Sequence, residues 1–390
     1  MVSKWNSEVA NELDDDLPCV IHIISSSGFF GAEHVVANLC KSMANHRFDV
    51  LCLCNDVTSV QDFAAAVNDT TNTQFYTTAN QFVPALQQLR HLVKSRSSFQ
   101  KQCVLHAHGY KAVVIAMLAS LFFRLPMLVT QHGFTARNSK SKLYNLIGKT
   151  ICRFYSVKKV ICVTDTILKI YQHFGVQPKK LVIVKNAIPI PPKQDRRSED
   201  VNTFKEFGWN SNNKIISFLG RLSDEKNPLF FLEILSLLIK KDNTIRGLII
   251  GSGPQKEQLE NYIIQHQLQQ HIKLAGYRKD AAALLEGSTL LAITSKTEGT
   301  PLVALEAMAL KTAIVSTDVG GMPYLIENTV SGMLVDTGHH EDFCHACLNV
   351  ITDDKLRNNI LKEAFNKVNE HHCMKTQAVK LADYYQEACV

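Results

Sequence analysis

The chain is written in short, continuously apolar runs separated by longer stretches in which apolar residues recur every three or four positions. CVIHIIS (19–25), FDVLCLC (48–54), CVLHAH (103–108), MLVTQH (127–132), KVICV (159–163) and LVIVK (181–185) form a first series. Runs this short and this apolar predict strands covered by helices on both faces, hence a parallel sheet. A second series follows: KIISFL (214–219), RGLII (246–250), IKLA (272–275), TLLAI (289–293), AIVS (313–316) and MLV (333–335). Helical patterns such as PLFFLEILSLLIKK and PLVALEAMAL lie between its members. Such alternation predicts a doubly wound α/β domain, and two series predict two in tandem. Residues 191–213, PPKQDRRSEDVNTFKEFGWNSNN, start on proline and are charged and polar, which predicts a linker with one short helix. The expected division is a flexible tail over 1–17, an N-terminal domain over 18–190, the linker over 191–213 and a C-terminal domain over 214–375. Ligand is expected at the strand C-termini, in a cleft where the crevices of the two domains face each other.

Composition narrows the class. A 46% hydrophobic content is ample for cores of this size. The net charge of +6, from 42 basic and 36 acidic residues, is too mild to point to nucleic acid and suits a small anionic ligand or an anionic surface. The start, MVSKWNSEVANELDDDLP, lacks the basic and apolar regions of a signal peptide. The longest uncharged apolar stretch, AVVIAMLASLFF (112–123) between Lys111 and Arg124, falls short of the roughly 20 residues that cross a bilayer. The eleven cysteines lie in predicted strands and helices, as Cys52 and Cys54 do, without framework spacing, so a reducing cytoplasm is expected. Cys344 and Cys347 have no second ligand pair for zinc and read as one helix face.

Four polar stretches fall just past strand ends. In SSSGFFGAEHVVANL, Gly28 and Gly31 precede a helix beginning near Ala32, whose N–H groups can hold an anion; ordinary turn glycines explain them equally well. In QHGF, His132 is placed either to donate to a hydroxyl or phosphate oxygen or to bond backbone, and His106 and His108 of HAHG face the same choice. In FLGRLSDEKNPLFFLEIL, Gly220 and Arg221 follow the strand, Lys226 comes five positions later, and Asn227 and Pro228 read as N-cap and first helical residue. A fork and a point charge in one loop suit a diphosphate; a solvated loop is the alternative. In SKTEGTPLVALEAMAL, Thr300 reads as N-cap and Pro301 as the first helical residue, leaving the N–H groups around Gly299 for a ligand. Glu298 lies in that loop. Glu306, about two turns into the helix, has two oxygens for two vicinal hydroxyls, unless the two acids are a dipole-favoured N-terminal residue and a surface residue.

GRLSDEKN, GSGPQKEQLE, EGTPLVALEAM and VSTDVGGMPYLI occur in this order, with GFFGAEHVVANL and TQHGF before them. Together they resemble the GT-B family of retaining, nucleotide-sugar-dependent glycosyltransferases known as family 4, over roughly residue 20 to the end. The resemblance implies that Arg221 and Lys226 hold the donor diphosphate and stabilise the leaving group. It places Glu298 beside the donor sugar, Glu306 on the ribose hydroxyls and His132 on the sugar. Gly31 matches the glycine loop packed against the diphosphate, and Gly220, Gly251 and Gly253 belong to matching motifs. Gly299, Thr300, Pro301 and Leu302 would contact sugar and phosphate, and Tyr277 and Arg278 lie in the segment lining the base pocket. The family commonly uses no essential metal, so a nucleotide sugar is expected as substrate with no cofactor. The helix expected over 376–390 would return to the N-terminal domain. Tyr324, Leu310, Thr312 and Ser288 depart from the residues that relatives often show, and they bear on donor fit.

The expected activity is transfer of a sugar from a nucleotide diphosphate sugar, UDP favoured and GDP-mannose next, to an acceptor hydroxyl in glycan, lipopolysaccharide or glycolipid synthesis. The alternatives are an epimerase on the same fold or a non-catalytic binding relative. On the acceptor side, Arg137, Lys140, Lys142, Lys149, Arg153, Lys158 and Lys159 lie between Phe134 and Thr164 without one Asp or Glu. Leu143, Leu146, Ile147, Ile151 and Phe154 form an apolar stripe among them. The segment reads either as a core-packed helix with a basic edge or as a surface for an anionic membrane or phosphorylated glycolipid, peripheral at the inner face.

Overall fold

The computed structural model describes residues 17–26, 28–29, 31–70, 72–97, 103–132, 139–191 and 203–390. It divides into two compact units, one of residues 1–189 with 372–390, the other of residues 190–371.

The first unit is built on parallel strands β1 (Cys19–Ser25), β2 (Phe48–Cys54), β3 (Thr73–Ala79), β4 (Cys103–His108), β5 (Met127–Gln131), β6 (Val157–Cys162) and β7 (Leu181–Ile183), in the order β3-β2-β1-β4-β5-β6-β7. Alternation along each strand sends one set of side chains to each face. Ile21, Ile23, Leu51, Leu105 and Val129 pack beneath helices Phe82–Ser97 and Tyr110–Phe123. Val20, Ile24, Val104, Leu128 and Ile161 pack on the other face with Val36 and Leu39 of helix Gly31–Ser42. Helix Met374–Cys389 closes that same face with Ala378, Leu381, Ala382 and the fully buried Tyr385. It is tied in by Met374 N–H donating to the Ile188 carbonyl at 2.9 Å.

The second unit carries β8 (Lys214–Leu219), β9 (Ile245–Ile250), β10 (Ile272–Gly276), β11 (Leu290–Ile293), β12 (Ala313–Thr317) and β13 (Met333–Val335), in the order β10-β9-β8-β11-β12-β13. Phe230, Phe231, Leu235 and Leu238 of helix Pro228–Lys241 form its main core with Phe343 and Val350 of helix His340–Thr352.

The structure goes beyond or alters the sequence reading in three places. The polar run TQFYTTA forms β3, because an edge strand with mostly half-exposed side chains needs no apolar code. Residues 203–209, expected within the linker, are part of the second unit: Trp209 is buried with Ile215 and Leu248, and Phe204 and Phe207 pack against them. The apolar stripe of helix Ser139–Ile151 is divided, with Ile151 buried in the core and the residues before it outside it. Leu143, Leu146 and Ile147 are 57%, 50% and 37% exposed, while Asn145 and Gly148 of the same helix are buried. Among the described residues no helix is long and apolar enough to cross a membrane.

Candidate active site

In the second sheet the strand order reverses between β8 and β11, the position where an open α/β sheet leaves a crevice for ligand. The loops leaving those two strands are stitched together. Lys226 Nζ donates to Glu298 Oε1 at 2.5 Å, and Ser295 Oγ donates to the same oxygen at 2.6 Å. Thr294 Oγ1 donates to the carbonyls of Lys226 and Asn227, and Lys296 N–H to that of Glu225. The Glu298 side chain is 7% exposed and that of Lys226 26%, so the pair is partly withdrawn from water and less screened by salt than a surface ion pair. Arg221 lies exposed in the same loop, and Pro228 opens the helix behind it. Asn227 holds the cap position in the left-handed region, φ 52°, with no side-chain cap bond.

Neighbouring loops brace this pair by backbone contact that only glycine permits. A Cβ on Gly321 would stand 1.9 Å from the Gly299 carbonyl oxygen, and Gly321 N–H donates to the Glu298 carbonyl at 2.9 Å. Gly251 and Gly253 press likewise on the backbone of Gly220 and Leu222, so their place in the motif serves the stacking of loops. Gly299 differs. A Cβ there meets nothing within 4 Å, so the fold does not require its hydrogen.

The helix after Glu298 runs Leu302–Ala309, one residue later than expected. Pro301 is its cap, extended at φ −70°, ψ 129°, and no side chain caps it, so Thr300 is not the N-cap. The Pro301 carbonyl begins the ladder by accepting from Ala304 N–H at 3.1 Å. Glu306 lies between the buried Leu305 and Ala307, and its carboxylate has no hydrogen bond or ion pair among the described residues. Burial pushes that carboxyl above its ordinary value. A half-buried acid with no partner among the described residues gains when a ligand supplies the donors.

Tyr277 is exposed, whereas Arg278 is engaged. Its guanidinium grips both oxygens of Glu206 at 2.7 and 2.8 Å and both of Asp280 at 2.6 and 2.7 Å, tying residues 203–207 to the end of β10. Its fork is used inside the protein, a role the sequence did not indicate.

In the first unit Gly31 is the first residue of its helix, and a Cβ there meets nothing within 4 Å. His132, half-buried just past β5, places Nε2 3.1 Å from His108 Nδ1. Of the basic residues, Arg137 and the side chains of Lys140 and Lys142 lie outside the described residues. Lys149 Nζ sits 5.3 Å above the Phe174 ring, Arg153 is exposed, and Lys159 pairs with Glu387 at 2.7 Å. The sequence reading missed Ser295 and Thr294, whose hydroxyls have no charge to mark them. It also missed His22, which no polar strand-end motif flags.

The chain is similar to known proteins over most of its length. Residues 200–367 match the family model described as glycosyl transferases group 1, and residues 30–190 match that of Glycosyltransferase Family 4. The chain is 24% identical to the Escherichia coli UDP-Gal:alpha-D-GlcNAc-diphosphoundecaprenol alpha-1,3-galactosyltransferase, over 92% of this chain and 94% of that one. It is 23% identical to a D-inositol 3-phosphate glycosyltransferase of Corynebacterium efficiens, over 73% of this chain and 71% of that one. Among solved structures, Anabaena HepE in complex with UDP and glucose superposes with a TM-score of 0.80 at 18% identity, covering 95% of this chain and all of that one.

Proposed function

The chain belongs to the glycosyl transferases group 1, with the GT-B fold, and from that premise we propose that it transfers a sugar from a UDP-sugar to an acceptor hydroxyl with retention. The observation that carries the reading is the Lys226–Glu298 pair at the switch point of the second sheet, followed in the next helix by Glu306, whose carboxylate has no partner among the described residues.

The residues divide the work as follows. The two Glu306 oxygens accept from the two ribose hydroxyls and so gain donors that none of the described residues provides. Lys226 and Arg221 bind the diphosphate, and their fixed charge counts most as negative charge grows on the departing β-phosphate. We assign that neutralisation to these two side chains and expect turnover that survives EDTA. Glu298, held by Ser295, stands beside the sugar. His132 contacts the sugar, as the resemblance implies. The bond from the anomeric carbon to the UDP oxygen breaks as the bond to the acceptor oxygen forms on the same face, and the acceptor proton passes to the leaving phosphate.

The choice of UDP is supported by the E. coli relative, named for UDP-Gal, and by HepE, solved with UDP and UDP-glucose. That relative's diphosphoundecaprenol substrate supports a lipid-linked or glycan acceptor in cell-surface glycan, lipopolysaccharide or glycolipid synthesis. The outward-facing stripe Leu143, Leu146 and Ile147, beside Lys149 and Arg153, supports a cytoplasmic enzyme resting on an anionic membrane. Donor hydrolysis across UDP-, GDP- and ADP-sugars tests the donor. Release of UDP is expected, and preference for a GDP-sugar would overturn the choice of base.

A further inference from the structure

Four histidines meet in the first unit, and the reaction above uses one. His22 of β1 and His106 of β4 are register partners, and His108, two residues on, points to the same face. His22 Nδ1 lies 2.9 Å from His108 Nε2, and His108 Nδ1 lies 3.1 Å from His132 Nε2. His106 stands beside this row with both nitrogens taken, Nδ1 by the Tyr385 hydroxyl and Nε2 by the Thr130 hydroxyl, each at 2.7 Å. The ends of the row differ. His22 Nε2 is buried with no hydrogen-bond partner among the described residues, while His132, the half-buried member, has Nδ1 unpartnered among them.

All three rings of the row are neutral at physiological pH. Burial lowers His22 to about 3 and His132 to about 4, and burial with the neighbouring imidazoles takes His108 well below its ordinary value. A neutral imidazole has one N–H, so the row has two self-consistent arrangements. In one, every proton sits on Nδ1: His22 donates to His108, His108 donates to His132, and His132 keeps an N–H at its outer end. In the other, every proton sits on Nε2, which leaves His22 with a buried N–H and nothing to receive it. Orphaned buried N–H groups are rarer in folded proteins than under-satisfied acceptors, so the first arrangement is favoured.

We propose that His22 and His108 are positioning residues that hold His132 in its Nδ1–H tautomer, making it a hydrogen-bond donor toward an oxygen of the sugar nucleotide. This rests on the reading of His132 as a sugar-contacting group. The competing occupant is a metal ion, since ligand nitrogens of His22, His106 and His108 lie within 4.8 Å of one another. Hydrogen bonds already engage five of those six ring nitrogens, which favours the row.

The test reads the tautomers directly. In protein labelled with ¹⁵N-histidine and assigned through single His→Gln variants, long-range ¹H–¹⁵N spectra separate Nδ1–H from Nε2–H. Nδ1–H is expected at His22, His108 and His132. His22→Asn, whose side-chain amide can donate from the position of Nδ1, should keep the His132 signal and the turnover. His22→Leu should give mixed tautomers at His132 and lower kcat on the order of ten-fold, the effect of one ordinary hydrogen bond. Nε2–H at His132 in the wild type would overturn the proposal, as would one tightly held zinc ion per chain on titration with zinc chloride. An Nδ1–H signal combined with unchanged turnover in His132→Ala would uphold the tautomer assignment and overturn the sugar contact.

Discussion

Lys226 and Glu298 leave the C-terminal ends of adjacent strands, on either side of the point where the second sheet reverses its order, and their side chains meet at 2.5 Å. The ammonium is thereby held on a short tether against a carboxylate that solvent barely reaches. A charge fixed in this way is worth more to a developing phosphate than a mobile surface lysine, because little reorganisation accompanies the reaction.

Lys226→Ala should therefore lower kcat by about 10²–10³, the usual effect of removing one preorganised group at a developing charge. Glu298 keeps the Ser295 hydroxyl, so the fold should survive with a modest fall in melting temperature. Turnover and thermal melting measured on one preparation separate the two effects. Loss of activity in step with loss of folded protein would make the pair structural, and full turnover would remove Lys226 from the reaction.

Two glycines in touching loops should respond in opposite ways. Gly321→Ala forces a Cβ against the Gly299 carbonyl oxygen and should destabilise the unit by about 2–4 kcal/mol. Gly299→Ala meets open space, so stability should stay within about 0.5 kcal/mol while the KM for the donor rises. Urea denaturation with donor kinetics checks both. A destabilised but fully active Gly299→Ala protein would reverse the assignment.

Much of this was legible in the sequence because it is written in charge, glycine and apolar runs. Arg221, Lys226 and Glu298 fall where strands stop, and strand ends are marked by a loss of apolar residues. Three things were not legible. β3 is an edge strand with little burial to encode. Ser295 acts through a hydroxyl that any loop serine has. The exposure of Leu143, Leu146 and Ile147 depends on which face of their helix meets the core, and periodicity reports a stripe without saying what it faces.

Glu306 should make the protein without donor less stable as pH rises. Its folded carboxyl titrates above the unfolded one, so the stability it contributes is complete below the unfolded pKa and is lost as pH climbs through the folded value. Glu306→Gln should abolish that slope and weaken UDP binding. Denaturation midpoints from pH 4 upward, for wild type and variant, show whether the slope belongs to this residue. Identical slopes would mean it does not.

The histidine row acts with the opposite sign. His22 and His132 are held to about 3 and 4, while the unfolded imidazoles accept protons near 6.5. Their contribution is whole above about pH 6.5 and is lost as pH falls from there toward 4, because the unfolded state binds protons the folded state refuses. His22→Asn removes one such group, so its stability should fall less steeply between pH 6.5 and 5 than that of wild type. Parallel curves would show that His22 is not a buried neutral imidazole.

The exposed stripe on helix Ser139–Ile151 supports the most direct test of membrane docking. Leu143, Leu146 and Ile147 lie on one face at i, i+3 and i+4 and stand in water, with Lys149 and Arg153 nearby. Moving each partly exposed apolar side chain into a lipid interface contributes on the order of 1 kcal/mol, and each nearby cation about as much again on an anionic leaflet. Replacing all three with serine should leave the melting temperature close to wild type, since none is core. It should lower partitioning onto phosphatidylglycerol-containing vesicles roughly a hundred-fold. Binding should also weaken as salt rises, because the cationic share is screened. Co-sedimentation with vesicles at two salt concentrations measures both terms. Wild-type protein that stays in the supernatant at low salt would end the membrane reading and leave this face for a soluble partner.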